Sequence, residues 1–209
     1  MADELVFYTN PQSRGAMTHW MLEEIGCPYR VEALQFGPDM KTPGYLAINP
    51  MGKVPAIKHG NTVVTETGAI LAYLADAFPQ AGLAPAIGDK ARGTYYRWLF
   101  FIAGPAEAAS GNHAAGWDPK PDMQGRFGYG SYETTIDTLE KAVSGKRYIA
   151  GDRFSAADLY VASFLFWGMQ VGIVPKRPVF ETYAKPHIER PAAKRAEEKG
   201  QKLATQSKN

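Results

Sequence analysis

The apolar positions of the first 78 residues follow two periods, one typical of strands and one of helices. Short runs of β-branched and aromatic residues alternate with stretches in which apolar side chains recur every three or four residues. Gly26 ends the first helical stretch, and His59-Gly60-Asn61 joins two short strands as a hairpin turn. The predicted elements are strand 5–8, helix 17–25, strand 29–33, strands 54–57 and 62–65, and helix 66–78. The opening strand, helix and strand imply a right-handed crossover and a parallel pair.

Beyond Phe78 the pattern changes from mixed to helical. Residues 79–88 contain two prolines and two glycines and predict a linker. Helices are predicted at 91–103, 132–143 and 156–170, with Gly104-Pro105 expected to kink or break the first of them. The Lys- and Glu-rich tail after Pro191 is expected to be a solvated helix that frays. The pattern therefore predicts an α/β domain over 1–78, a linker over 79–88 and an all-α domain over 89–209.

Composition narrows the class of protein. Hydrophobic residues make up 45% and charged residues 21% of the 209 residues, which is typical of a globular chain and argues against disorder. The formal net charge is only +2 with mixed signs, so nothing predicts nucleic acid or a membrane as partner. The single cysteine, Cys27, cannot form a disulfide within the chain and is interpreted as a packing residue. Without a signal-peptide pattern or an apolar stretch long enough to span a membrane, the chain is expected to be cytoplasmic.

The segment from Asn10 to Arg14 is the first with candidate chemistry, because it joins the first strand to the first helix. Ser13 is placed as an N-cap, and one interpretation gives it no other role. The other interpretation uses the same geometry, since a helix N-terminus favours negative charge and a hydroxyl there can donate to a bound thiolate. One such bond, at about 1.5–3 kcal/mol, lowers a thiol pKa by roughly one or two units.

Two further segments have the chemistry of a peptide-binding site. Val54-Pro55 stands at the start of a strand, and we predict a cis bond there, which would present the Val54 backbone to an extended ligand. The alternative is an ordinary edge-strand proline. Glu66-Thr67 stands between a strand and a helix, where the pair is either a helix cap or a site for a zwitterion. In that site Glu66 would take an ammonium group and Thr67 the neighbouring carboxylate.

Together these segments resemble the glutathione transferase superfamily over essentially the whole chain. The most specific stretch runs from Tyr45 to Leu74, with an Asn-Pro turn, Val-Pro, and an acidic residue followed by Thr at the expected spacing. A second marker is Phe154-Ser155-Ala156-Ala157-Asp158-Leu159, a capping-box-like pair with a structural role in the helical domain. The resemblance implies a thioredoxin-like N-terminal domain followed by the all-helical domain.

The resemblance also implies a glutathione site, with glutathione as co-substrate and no metal. Val54 would pair with the cysteinyl backbone, and Glu66 and Thr67 would hold the γ-glutamyl end. Lys41 and Lys53 would attract the glycyl carboxylate, although Lys53 departs from the Gln or Thr associated with that position and plain solvent exposure is the alternative for both lysines.

By the same resemblance, the residue that stabilises the thiolate would be Ser13, the preferred assignment, or Tyr8, because the superfamily uses Tyr, Ser or Cys in this segment. The implied reaction is conjugation of glutathione to a small, hydrophobic electrophile by a homodimer. A glutathione-dependent peroxidase or isomerase, and a non-catalytic regulatory or structural member, are the alternatives.

Overall fold

The computed structural model describes residues 3–206 in two compact units. Residues up to Ala81 together with the segment from Arg190 onward form unit 1, and Gly82–Glu189 forms unit 2. The sequence predicted two domains that follow each other along the chain, whereas in the structure the segment from Arg190 onward belongs to the same compact unit as the N-terminal residues.

Unit 1 is built on a four-stranded mixed sheet with the order β2-β1-β3-β4. The strands are β1 (Leu5–Thr9), β2 (Arg30–Ala33), β3 (Ala56–His59) and β4 (Thr62–Thr65). β1 pairs parallel with β2 and antiparallel with β3, and β3 and β4 form the predicted hairpin. Leu5, Val6 and Phe7 are buried, which accounts for the uninterrupted apolar run in the sequence. The thioredoxin-like domain expected from the sequence is confirmed.

Helices α1 (Gly15–Ile25), α2 (Pro43–Leu46), α3 (Thr67–Ala77) and α9 (Pro191–Gln206) complete unit 1. Gly26 ends α1 in the left-handed conformation, with a φ of 72°, as the sequence predicted. α9 packs along α1 and buries Ala192 and Ala196. The tail is therefore a docked helix over residues 191–206, not one surrounded by solvent.

In addition to apolar contacts, ion pairs hold α9 against α1. Glu23 of α1 is only 7% exposed and accepts from Lys199 Nζ at 2.5 Å and Arg195 Nε at 3.1 Å. Beside it, the Arg190 guanidinium binds both oxygens of Glu24, at 2.6 and 2.9 Å. Burial opposes the charge on Glu23, but bonds from Lys199, Tyr29 and Arg195 outweigh it and hold the pKa of that carboxyl below its ordinary value.

Unit 2 is helical and contains α4 (Ala91–Phe101), α5 (Glu107–Ala114), α6 (Tyr132–Val143), α7 (Ala156–Val171) and α8 (Pro178–Ile188). α7 lies at the centre of the unit and packs against α4 and α8. Its first turn is organised by Asp158, which is fully buried and accepts from the Ser155 backbone and hydroxyl at 2.9 and 2.8 Å. Tyr183 of α8 donates to the same carboxylate at 2.7 Å. The all-helical domain and the Ser155–Asp158 pair are confirmed.

Proline is involved in two places where unit 2 differs from the sequence prediction. The α-helix that begins at Ala91 ends at Phe101, just ahead of Gly104-Pro105, but helical structure continues beyond it. The chain passes through a π-helical segment, Ile102–Ala106, and continues directly as α5. A wider π turn accommodates a proline that lacks an N–H. α8 was not predicted, although it contains Pro186 within its eleven residues.

Candidate functional site

Strand register brings three of the predicted segments to one end of the sheet. Tyr8 pairs with Ala56, and Ala56 pairs with Thr65 across the next strand. The loop after β1, the approach to β3 and the junction between β4 and α3 therefore leave the sheet side by side. These loops contain Ser13, Val54 and the pair Glu66-Thr67, which lie far apart in the sequence.

The loop after β1 is a tight turn that fixes Ser13 just ahead of α1. The Ser13 N–H donates to the Asn10 carbonyl at 3.1 Å, and the Ser13 hydroxyl donates to the same oxygen at 2.6 Å. The hydroxyl oxygen also accepts from the Gly15 N–H at 3.0 Å. The helix cap is Arg14, so the assignment of Ser13 as N-cap is wrong by one residue. Its half-buried hydroxyl nevertheless satisfies one of the unpaired N–H groups of the helix start.

Gly15 is required for this arrangement because α1 begins very close to the end of β1. A Cβ at Gly15 would lie 2.0 Å from Thr9 Oγ1 and 3.0 Å from Ser13 Oγ. Only glycine lets the backbone N–H come close enough to bind the serine oxygen.

Tyr8, the other candidate, is half-buried on β1. Its ring lies 5.7 Å from that of Tyr45, centroid to centroid. The Tyr45 hydroxyl donates to the Lys53 carbonyl at 2.6 Å. Burial, together with the nearby Tyr8, raises the pKa of Tyr45 to about 12, so Tyr45 remains a neutral donor at physiological pH.

The approach to β3 is held by Asn49, which is 3% exposed. Its side-chain amide donates to the Lys53 carbonyl at 2.8 Å, and its oxygen accepts from the Met51 N–H at 3.1 Å. The Val54–Pro55 bond is cis, which confirms that prediction. Val54 lies ahead of the β1–β3 ladder, whose last pair is Tyr8 and Ala56, so a ligand strand can be added there.

The two candidate lysines border the same loop. Lys41 extends from a short 3₁₀ turn, Asp39–Lys41, and donates to the Met51 carbonyl at 3.2 Å. The Lys53 side chain is exposed, and its carbonyl is the acceptor shared by Tyr45 and Asn49. Both ammonium groups are thus attached to one turn, which gives this part of the site a positive charge.

Glu66 has an unusual backbone conformation at the start of α3. Its φ of 67° and ψ of 119° make it the one non-glycine residue with positive φ among residues 3–206. Such a conformation costs about 1–3 kcal/mol and is found most often at functional sites. The Glu66 side chain is exposed, whereas Thr67 is 7% exposed at the first position of the helix. An acceptor carboxylate and a helix N-terminus therefore lie side by side, as a zwitterion requires.

Sequence reasoning missed Asn10, Tyr45 and Asn49, which hold the site residues in place. The signal was present for the asparagines, since Asn before Pro is typical of a turn whose side chain binds the backbone two residues on. The role of Tyr45 depends on its packing against Tyr8 and had no sequence signal.

Among residues 3–206, no group of three or more His, Cys, Asp or Glu residues is arranged so that it could hold a metal ion. Within the same residues, no helix is both long and apolar enough to cross a bilayer.

Two family models match this chain, one in its N-terminal part and one in its C-terminal part. The family model described as glutathione S-transferase, N-terminal domain, matches residues 4–76. The model described as glutathione S-transferase, C-terminal domain, matches residues 133–202.

Solved structures and curated proteins are similar over most of the chain. A glutathione transferase from Methylococcus capsulatus is 30% identical and superposes with a TM-score of 0.77, covering 94% of this chain and 98% of its own. A sphingomonad glutathione S-transferase, solved in complex with glutathione, is 27% identical with a TM-score of 0.74, over 93% and 98%. The disulfide-bond oxidoreductase YghU of Escherichia coli is 27% identical over 220 residues, 91% of this chain and 73% of its own.

Proposed function

The chain belongs to the glutathione S-transferase superfamily, and on that premise we propose that it conjugates reduced glutathione to a small, hydrophobic electrophile. The observation that carries this proposal is the register from Tyr8 through Ala56 to Thr65. It gathers a hydroxyl, an open backbone edge and a carboxylate at one end of the sheet. The sphingomonad relative, whose structure contains glutathione, supports the choice of ligand.

Each part of glutathione has a partner of suitable chemistry at this end of the sheet. The Val54 backbone pairs with the cysteinyl backbone as an added strand. Glu66 takes the γ-glutamyl ammonium, and the Thr67 hydroxyl and N–H take the neighbouring carboxylate. Lys41 and Lys53 attract the glycyl carboxylate. The opposite charges of the lysines and Glu66 set the direction in which the tripeptide binds.

Ser13 stabilises the thiolate in this proposal. The α1 dipole favours the sulfur anion, and the Ser13 hydroxyl donates to it after turning away from the Asn10 carbonyl. The thiol proton is lost to solvent. The thiolate then attacks the electrophilic carbon, a C–S bond forms, and the leaving group departs with the electron pair of the broken bond.

Binding is tested first, by calorimetry with reduced glutathione. Measurable binding that is weakened by Glu66→Ala supports the proposal. No binding heat and no retention on immobilised glutathione would refute it.

Ser13→Ala then tests the mechanism, with Tyr8→Phe as the matched hydroxyl deletion. Losing one hydrogen bond to a charged group, about 1.5–3 kcal/mol, should lower the conjugation rate near neutral pH roughly 10- to 150-fold. Glutathione affinity should stay nearly unchanged, because most binding contacts lie at Val54, Glu66 and Thr67. Ultraviolet difference absorbance follows the thiolate across pH. A thiolate signal lost in Tyr8→Phe and kept in Ser13→Ala would assign the role to Tyr8.

A glutathione-dependent oxidoreductase is the second candidate, because the Escherichia coli relative is a disulfide-bond oxidoreductase. The same thiolate would then attack a sulfur or a peroxide oxygen in place of carbon. A panel of aryl halides, organic peroxides and low-molecular-weight disulfides, each assayed with glutathione, separates the two activities.

We further propose that the protein acts as a cytoplasmic homodimer with no nucleic-acid or membrane partner. Phe100 on α4 is 72% exposed, whereas the other aromatic residues of the helix are buried or half-buried, and an exposed large apolar side chain of this kind often marks an interface. Sedimentation at micromolar concentration tests the dimer, and a monomer there contradicts it.

A further inference from the structure

Three donors surround one backbone oxygen in the loop before α1, the carbonyl of Asn10. They are the Ser13 hydroxyl at 2.6 Å, the Ser13 N–H at 3.1 Å and the Thr9 hydroxyl at 3.3 Å. A carbonyl oxygen has two lone pairs, so this acceptor has one donor more than it needs. If the Ser13 hydroxyl leaves, the Asn10 carbonyl keeps two donors and is not left unsatisfied. Releasing that hydroxyl therefore avoids the cost of orphaning a buried polar group.

The hydroxyl can be released without moving its oxygen. Ser13 Oγ accepts from the Gly15 N–H at 3.0 Å, and this bond does not involve the hydroxyl hydrogen. Rotation about the Cβ–Oγ bond moves only the hydrogen, while the helix start holds the oxygen. The Gly15 N–H thus holds the Ser13 oxygen, and the Asn10 carbonyl accepts the hydroxyl hydrogen.

The Asn10 side chain fixes this carbonyl in turn. Asn10 is 5% exposed, and its amide donates to the Leu34 carbonyl at 2.8 Å. Its side-chain oxygen accepts from the Gln12 N–H at 2.9 Å, inside the same turn. A backbone bond from the Leu34 N–H to the Thr9 carbonyl, at 2.8 Å, completes the link between this loop and the end of β2. The two side-chain bonds prevent the Asn10 peptide from turning away.

We infer that Asn10 is a positioning residue for the thiolate: it holds the Ser13 hydroxyl in place and releases it when a sulfur anion binds. This inference rests on the proposed function. Without the Asn10 side chain the turn loosens, the hydroxyl no longer starts beside the sulfur site, and thiolate stabilisation is lost. Glutathione affinity is unaffected, because Val54, Glu66 and Thr67 lie on other loops.

Asn10→Ala tests the inference, with Asn49→Ala as its matched control. Both asparagines are buried, and each donates to a carbonyl while accepting an N–H two residues on. Asn10→Ala should raise the pKa of bound glutathione by about one unit and lower kcat about tenfold at neutral pH, with little change in KM. Asn49→Ala should raise KM and leave the thiolate pKa unchanged, because it loosens the loop before Val54. Asn10→Ser keeps a short acceptor for the Gln12 N–H and should fall between wild type and Asn10→Ala.

Thr9→Val provides an independent test, because it removes the surplus donor with almost no change in shape. The Asn10 carbonyl would then compete more strongly for the Ser13 hydroxyl, so the thiolate pKa should rise, by less than in Asn10→Ala. A wild-type protein that binds no glutathione defeats the proposed function itself. Normal binding with an unchanged thiolate pKa in Asn10→Ala overturns only the role of Asn10. If Asn10→Ala does not fold, an unchanged pKa in Thr9→Val overturns it instead.

Discussion

Glu23 provides a quantitative test of how the C-terminal helix is held. Its carboxylate is 7% exposed and is bound by Lys199 at 2.5 Å, Arg195 at 3.1 Å and the Tyr29 hydroxyl at 2.5 Å. Glu23→Gln keeps the size of the side chain but removes the charge and replaces one acceptor oxygen with a donor NH₂ group. One of these bonds is therefore lost, and the others are no longer charge-assisted.

The expected cost follows from the exposure of the partners. A hydrogen bond to a charged group contributes about 1.5–3 kcal/mol, and breaking a fully buried ion pair costs about 3–5 kcal/mol. The Arg195 and Lys199 side chains are 51% and 49% exposed, so both cations regain water when Glu23 loses its charge. The lower range applies, and we expect Glu23→Gln to reduce the free energy of unfolding by about 2 kcal/mol at pH 7.

The pH dependence has a definite sign. Because the folded pKa of Glu23 lies below its unfolded value of 4.5, its stabilisation is present above pH 4.5 and is lost as pH falls through the folded pKa. The difference between wild type and Glu23→Gln should therefore narrow below pH 4.5. Burial lowers the pKa of neighbouring His19 to about 4, so His19 is neutral in the folded protein at pH 7. The stability difference between wild type and Glu23→Gln at pH 7 therefore comes from the Glu23 carboxylate and not from a charge on His19.

Urea unfolding at several pH values measures the effect, and hydrogen exchange of residues 191–206 shows whether α9 detaches. Glu4→Gln is the control, because Glu4 binds Arg30 at 3.0 Å with both side chains more than half exposed. That change should cost less than about 0.5 kcal/mol. If Glu23→Gln costs no more than Glu4→Gln, the buried network does not hold α9 and the reasoning is wrong.

Two further substitutions test strain and buried hydrogen bonding. Glu66→Gly should stabilise the protein by about 1 kcal/mol, since glycine tolerates a φ of 67°, yet weaken glutathione binding at least tenfold. Urea unfolding measures the stability, and calorimetry measures the affinity. If Glu66→Gly binds glutathione as tightly as wild type does, Glu66 is not part of the site. Tyr183→Phe should destabilise by about 1.5–3 kcal/mol, because it removes a 2.7 Å bond to the buried Asp158 carboxylate. A Tyr183→Phe protein as stable as wild type in urea would show that this bond contributes no net stability.

Several features of the site follow from the sequence because they depend on local chemistry. Asn10-Pro11 is a local turn signal, and the segment after it leads into α1 as predicted, although Ser13 precedes the helix cap, Arg14, by one residue. Proline reduces the trans preference at Val54-Pro55 and so makes a cis bond possible, but the prediction of cis depended on the position of this pair directly before a strand, beside the proposed ligand edge. Gly26 stops α1 because glycine adopts positive φ without a Cβ clash. The strands, most of the helices and the identity of the family also lay within reach of pattern and spacing.

Other features were decided only by the tertiary structure. The pairing of Tyr8 with Ala56 and of Ala56 with Thr65 brings three loops together, and register depends on the whole sheet. α8 contains Pro186, which local propensity counts against, yet the helix forms because it packs against α7 and buries Phe180 and Tyr183. Glu23 and Lys199 form an ion pair although they lie 176 positions apart, and in the sequence each is indistinguishable from a charge exposed to solvent. Local conformational preferences contribute fractions of a kcal/mol per residue, whereas burying polar or charged groups changes the free energy of folding by several kcal/mol. Contacts between distant residues therefore decide the structure wherever they disagree with local preference.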